Sequence, residues 1–157
     1  MTDTLSKHER NLAAAIHAST FSKFFIPFGN FIIPLVLWTA NKKQYEFVDY
    51  NGKQALNFQI SLLLYSILLG IISIPFFVGF LPNIFDFGFD SLNTFNNLNI
   101  SIDSDDFRFG WWWFPIGIAG LGQGVLFIVN LVYTILATIR TNEGQLFEYP
   151  LTIKFIK

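Results

Sequence analysis

The stretch Gln54–Phe85, QALNFQISLLLYSILLGIISIPFFVGFLPNIF, contains no Asp, Glu, Lys or Arg. At 1.5 Å of rise per residue, a helix of about 20 apolar residues crosses a hydrocarbon core of about 30 Å, so this stretch is long enough to span a bilayer. Two further charge-free blocks flank it, Phe24–Ala40 and Phe109–Ile139. In all three the apolar residues run round every face instead of recurring at helix or strand period, as a lipid-exposed helix requires. The pattern predicts an all-α polytopic transmembrane helical bundle, with membrane spans over 24–40, 55–77 and 114–139 and an N-terminal amphipathic helix over 4–22.

Composition agrees with that class. The 157 residues are 52% hydrophobic, 18% aromatic and 13% charged, and a soluble domain carries about 25% charged residues. A formal net charge of −1 leaves no basic field to attract nucleic acid. The absence of cysteine excludes disulfides, thiolate catalysis and cysteine-ligated zinc or iron–sulfur clusters. His8 and His17 are too few for a histidine metal centre, so no metal or cofactor is expected. Polar and charged residues interrupt the N-terminal segment before any apolar core forms, so no cleavable signal peptide is expected. There is no HExxH, no phosphate-binding glycine loop followed by Lys, and no pair of intramembrane carboxylates; an enzyme is not expected.

Within 4–22, Leu5, Leu12, Ile16 and Phe21 lie on or near one helical face, as in a helix lying at the membrane surface. A break is expected near Pro27–Gly29 before the first span. Trp38, followed by Lys42 and Lys43, reads as an interfacial aromatic with a basic stop. In the connection Asn41–Gln54, Asn51–Gly52 reads as a turn, with Asp49 forming an Asx turn that sets the direction of the second span. Asn57 and Gln59 are then available for hydrogen bonds to neighbouring spans, and Pro75 marks the end of that helix. Residues 81–110, with Asp86, Asp90, Asp103, Asp105 and Asp106, read as a long acidic and aromatic loop, after which Trp111–Trp113 read as headgroup-level anchors.

The third span carries Gly117, Gly120, Gly122 and Gly124, of which Gly120 and Gly124 have the GxxxG spacing that lets a second helix approach closely. Packing within the chain is the favoured use, with dimerisation as the alternative. Gln123, Asn130, Thr134 and Thr138 recur near helical period and read as polar glue between helices in preference to an ion path. Three spans put the termini on opposite sides. Lys42, Lys43, Lys53, Arg140, Lys154 and Lys157 outnumber Lys7, Arg10, Lys23 and Arg108, which assigns the 41–54 connection and the C-terminus to the cytoplasm and 81–110 to the outside.

Two motifs carry a family resemblance. FVDYNGKQALNFQI (Phe47–Ile60) resembles the FVDxHGKxALNFQ signature of the DUF4870 family of small bacterial membrane proteins, grouped with Tic20-like proteins and the magnetosome protein MamF. GQLFEYPLTIKFI (Gly144–Ile156) resembles that family's GxxYxYPLxIRFI tail, and His17 and the Pro34…Trp38 element fall in the matching places. Asn51 stands where His is usual and Phe147 where Tyr is usual. The resemblance implies a bacterial inner-membrane protein with a part in protein translocation or membrane-protein assembly.

Read physically, Gly144 is a left-handed cap on the third helix, and Tyr149–Pro150 turns the chain so that Leu151–Ile156 lies along the membrane surface or pairs as an extended strand. His17 reads as a hydrogen-bonded packing residue with Asn57 as its expected partner. The expected function is a non-enzymatic accessory subunit of a membrane complex, its partners the lipid bilayer and other membrane-protein subunits or further copies of itself. A small oligomeric channel or transporter with a polar path along the third span is the alternative.

Overall fold

The computed structural model describes residues 5–96 and 113–157. Among them every regular element is helical: α1 Lys7–Ser19, a 3₁₀ turn Thr20–Phe24, α2 Gly29–Asn41, α3 Glu46–Asn96 and α4 Trp113–Asn142. Two stretches, Glu46–Ile74 and Gly117–Asn142, are long and apolar enough to cross a membrane. Two compact units form, Met1–Tyr65 with Leu126–Lys157, and Ser66–Val125.

The expected span Phe24–Ala40 is not one helix. The chain breaks at Phe28, which takes a left-handed conformation (φ 59°), and α2 starts only at Gly29. Its 13 residues measure about 20 Å, short of the hydrocarbon thickness. Pro34 sits inside α2 without ending it. Gly29 is required by close approach, because a Cβ there would lie 2.8 Å from the Ser22 backbone carbonyl. α1 and α2 therefore run as a tight antiparallel pair, joined at the His8–Tyr45 ring contact at one end and at Ser22–Gly29 at the other.

α1 begins with a capping box: Glu9 N–H donates to Ser6 Oγ (3.2 Å) and Ser6 N–H to Glu9 Oε2 (2.8 Å), satisfying two donors the helix leaves open. Its apolar face meets protein. Ala13 and Ile16 are fully buried and join Trp38 of α2 and Phe47, Val48, Ala55 and Leu56 of α3 in one core. Trp38 is accordingly not an interfacial anchor: it is buried, its Nε1–H donates to Asp49 Oδ1 (2.8 Å), and the Lys42 ammonium lies over its ring.

The expected Asn51–Gly52 turn is also corrected. Both residues lie in the second turn of α3 and both are buried. Asp49 forms no Asx turn; it sits one turn before Lys53 and pairs with it at 2.5 Å. Gly52 is small for a steric reason, since a Cβ there would fall into the Trp38 ring, 2.5 Å from Cγ.

α3 does not end at Pro75. It runs through positions 75 and 82 to Asn96, so the first part of the expected 81–110 loop is helical. A membrane helix tolerates proline where the freed carbonyl is satisfied otherwise, and the Leu, Ile and Phe content of this stretch favours helix over loop. Residues 97–112, with Trp111 and Trp112, lie outside the described residues. α4 ends in a Schellman motif at Gly144 (φ 84°), with Gln145 N–H donating to Arg140 O (3.0 Å) and Gly144 N–H to Thr141 O (2.9 Å).

Candidate functional site: a buried histidine network and the C-terminal segment

The two signature motifs, about 100 residues apart in sequence, fold onto each other. Beyond Gly144 the chain descends beside α3, turns at Pro150–Leu151 (Leu151 φ 61°) and returns. Three α3 side chains spaced one turn apart hold it. Tyr65 OH donates to Leu151 O (2.9 Å), and Ser61 Oγ accepts from Ile153 N–H (2.8 Å). Asn57 Oδ1 accepts from Phe155 N–H (3.1 Å) and Ile156 N–H (2.8 Å), while its Nδ2 donates to Ile156 O (3.0 Å). An irregular segment beside a membrane helix needs such partners, because its backbone groups find none in lipid. The tail thus pairs with the side chains of a helix instead of with another strand.

His17, Asn51, Thr141 and Tyr149 meet at the centre, all at most 3% exposed. Asn57 is not the partner of His17. His17 Nε2 lies 3.1 Å from Asn51 Oδ1, and its Nδ1 lies 2.9 Å from Tyr149 OH, contacts across 34 and 132 residues. The chemistry of the partners sets the protons. Asn51 Nδ2 donates to Phe47 O (2.8 Å), a group that only accepts, so Asn51 Oδ1 is the acceptor for both His17 and Thr141. Nε2 therefore carries the hydrogen, Nδ1 is bare, and the Tyr149 hydroxyl donates to it. The Tyr149 ring stacks on Phe58 at 4.1 Å between centroids, which adds apolar contact to the lock.

Burial among neutral partners outweighs the Asn51 hydrogen bond and lowers the His17 pKa from 6.5 to about 4; burial likewise pushes the Tyr149 phenol up. A chain with His17 exposed titrates near 6.5. Above that pH both forms are neutral and the network contributes its full stability. As pH falls from 6.5 towards 4, the opened chain takes up a proton that the folded one refuses, and stability drops by about 3 kcal/mol in all. Thermal unfolding in detergent between about pH 7.5 and about pH 4.5 is expected to show this slope, and His17→Gln to flatten it.

Gln59 and Asn130 join α3 to α4: Gln59 Nε2 donates to Asn130 Oδ1 (3.1 Å), Thr134 Oγ1 donates to the same oxygen (3.1 Å), and Asn30 Nδ2 of α2 donates to Gln59 Oε1 (3.0 Å). Within Ser66–Val125, Gln123 accepts from Ser66 Oγ (2.8 Å) and donates to Ser66 O (3.0 Å). The expected packing of the α4 glycines within the chain is made by one of the four. Gly122 abuts Leu69, at 3.0 Å from where its Cβ would stand, whereas positions 117, 120 and 124 meet nothing among the described residues. The GxxxG face is not used for packing inside the described chain. No three of His, Cys, Asp and Glu come together as a metal site among the described residues.

A short helical chain with two membrane-length helices, a buried neutral histidine network and a clamped C-terminal segment defines a small integral membrane protein. The chain belongs to the MamF/MmsF family, described as the magnetosome magnetite crystal formation protein family, which it matches over residues 8–156. That match bears out the magnetosome side of the resemblance in the motifs; it does not extend to the DUF4870 or Tic20-like groups. No curated protein and no solved structure matches the chain.

Sequence reasoning singles out His17 and Tyr149, half of the network, and misses the other two: Asn51 reads as a turn residue, and Thr141 carries no local signal at all. A polar residue at a helical position beside an apolar run, as Asn51 is once the Asn–Gly pair is read as helix, is the cue that points to it.

Proposed function

We propose that this chain is a non-catalytic subunit of a larger membrane assembly. The observation that supports the reading is where the polar side chains go. His17, Asn51, Asn57, Gln59, Gln123, Asn130 and Tyr149 are spent on one another or on the chain's own backbone, while Gly117, Ile118, Gly120, Leu121, Gly124 and Val125 form a face on α4 that is open among the described residues. Lipid supplies no hydrophobic drive between helices, so association rests on close packing at small residues, and this face suits a partner helix.

For a member of a magnetite crystal formation family, the corresponding role is a subunit of the membrane assembly on which the crystal forms. The resemblance to Tic20-like proteins adds a second form of the same reading, an assembly that inserts or moves other proteins, with the bacterial inner membrane as its location. The channel alternative needs polar atoms free to face a solute, and in the described residues Gln123 is bonded to Ser66 of α3, Asn130 Oδ1 to Gln59 of α3, and the Thr134 hydroxyl to Asn130 on its own helix.

Gentle extraction from the native membrane followed by native mass spectrometry tests the proposal. The expected result is a complex containing other proteins; recovery of the chain alone at 18.0 kDa overturns it. Liposome flux is expected to stay at background for both the wild type and Asn130→Leu.

A further inference from the structure

The helical pair α1–α2 bears on how the chain sits in the bilayer. Its two arms are 13 residues each, about 20 Å long. One end gathers Lys7, Arg10, Lys42 and Lys43, closed by the His8–Tyr45 contact. The same end holds the first turns of α3, with Glu46, Asp49 and Lys53, and the last turn of α4, since Arg10 abuts Gly144 and Thr141 bonds Asn51. The other end is the turn Phe24-Phe25-Ile26-Pro27-Phe28. It contains no charge, and its large side chains stand out of the protein, Phe25 at 87% exposed.

The depth of that turn can be read from its neighbours. Asn30, just behind it, bonds Gln59 of α3, and Phe24 packs edge-on against Phe127 of α4. Gln59 lies less than two turns past Lys53, about 9 Å along the axis, where the charge-free run of α3 has begun. Half of a hydrocarbon core of about 30 Å is about 15 Å, so the tip lies within one leaflet. Lys23, the cation nearest the tip among the described residues, is half-buried with its ammonium over the Phe24 and Phe127 rings, which offsets part of its desolvation.

We propose that α1 and α2 form a re-entrant hairpin whose Phe24–Phe28 tip is buried in the acyl chains of the cytoplasmic leaflet, so that of the described helices only α3 and α4 cross the bilayer. The inference goes beyond the subunit role and does not depend on it. It replaces the three-span topology: the N-terminus, the Asn41–Tyr45 connection and the C-terminal segment share one side. The charges then agree. Lys7, Arg10, Lys42, Lys43, Lys53 and Arg140 lie at the open end, and Lys154 and Lys157 lie on the returning tail, Lys154 exposed and paired with Glu148. Eight of the ten lysines and arginines thus fall on one side, the cytoplasmic one by the bias of basic residues. In a three-span arrangement the N-terminal Lys7 and Arg10 oppose the rest.

The chain has no cysteine, so single substitutions report position directly. His8→Cys, Gln44→Cys and Asn142→Cys, all at exposed positions, are expected to react with a membrane-impermeant maleimide in inverted vesicles and not in intact spheroplasts. Phe25→Cys, which disturbs no packing, is expected to react from neither side and to label fully once detergent removes the lipid. Labelling of His8→Cys and Gln44→Cys from opposite sides overturns the proposal, as does labelling of all three from outside. Labelling of Phe25→Cys in either intact preparation also overturns it, because the tip then lies in water.

Discussion

Asn57→Leu is expected to free the C-terminal segment from α3. The substitution keeps the size of the side chain and removes three hydrogen bonds at once, leaving the Phe155 and Ile156 amides and the Ile156 carbonyl without partners. Each partly buried backbone group left unpaired costs about 1 kcal/mol or more, so the loss comes to about 3 kcal/mol. The segment contains Lys154, and trypsin should cut there at least about tenfold faster in the variant, since 1.4 kcal/mol of easier opening is already a factor of ten. Asn57→Asp keeps the acceptor for both amides and should lie between the two. Equal cleavage of wild type and Asn57→Leu would show that the tail is held by its side chains, chiefly Tyr149, and not by the Asn57 clamp.

Gly52→Ala is the second large effect expected, and its sign runs against helix propensity. In a helix alanine is favoured over glycine by about 1 kcal/mol. Here the added methyl would overlap the Trp38 ring, and even the Trp38 Cβ would be only 2.8 Å away. A buried tryptophan cannot yield without giving up its hydrogen bond to Asp49 and its place against Ala13 and Ile16. Overpacking of this kind costs about 1–3 kcal/mol, and a hydrogen bond to a charged group about 1.5–3 kcal/mol more. A net destabilisation of about 3 kcal/mol should appear as a lowered Tm in detergent. Pairing with Trp38→Ala removes the collision, so the double variant should be no less stable than Trp38→Ala alone. Wild-type stability for Gly52→Ala would overturn the steric account.

The two cases show what kind of information the sequence carries. Gly52 and Asn57 are both marked by the signature motif, and a glycine after asparagine reads most simply as a turn. The structure gives Gly52 a different purpose, set by a tryptophan on another helix. Asn57 was expected to reach His17, and instead it closes on a backbone about 100 residues later. The GxxxG face, expected to pack within the chain, is left open among the described residues, while the neighbouring Gly122 makes the close contact with Leu69. In each case the residue type was informative and the partner was not.

The charge-free blocks by themselves determined that this is a helical membrane protein, because length and the absence of charge are properties of a segment alone and lipid accepts only a backbone bonded within itself. The break at Pro27–Gly29 and the cap at Gly144 were equally legible, since proline geometry and a left-handed glycine act over a few residues. Only the tertiary structure decided that the block at Phe24–Ala40 is the second arm of a short hairpin and that His17 is bonded to Asn51 and Tyr149. Those outcomes depend on which helix faces which and in what register, and that is settled by contacts between residues far apart in the chain. The membrane was written in the segments, and the way they lock together in their packing.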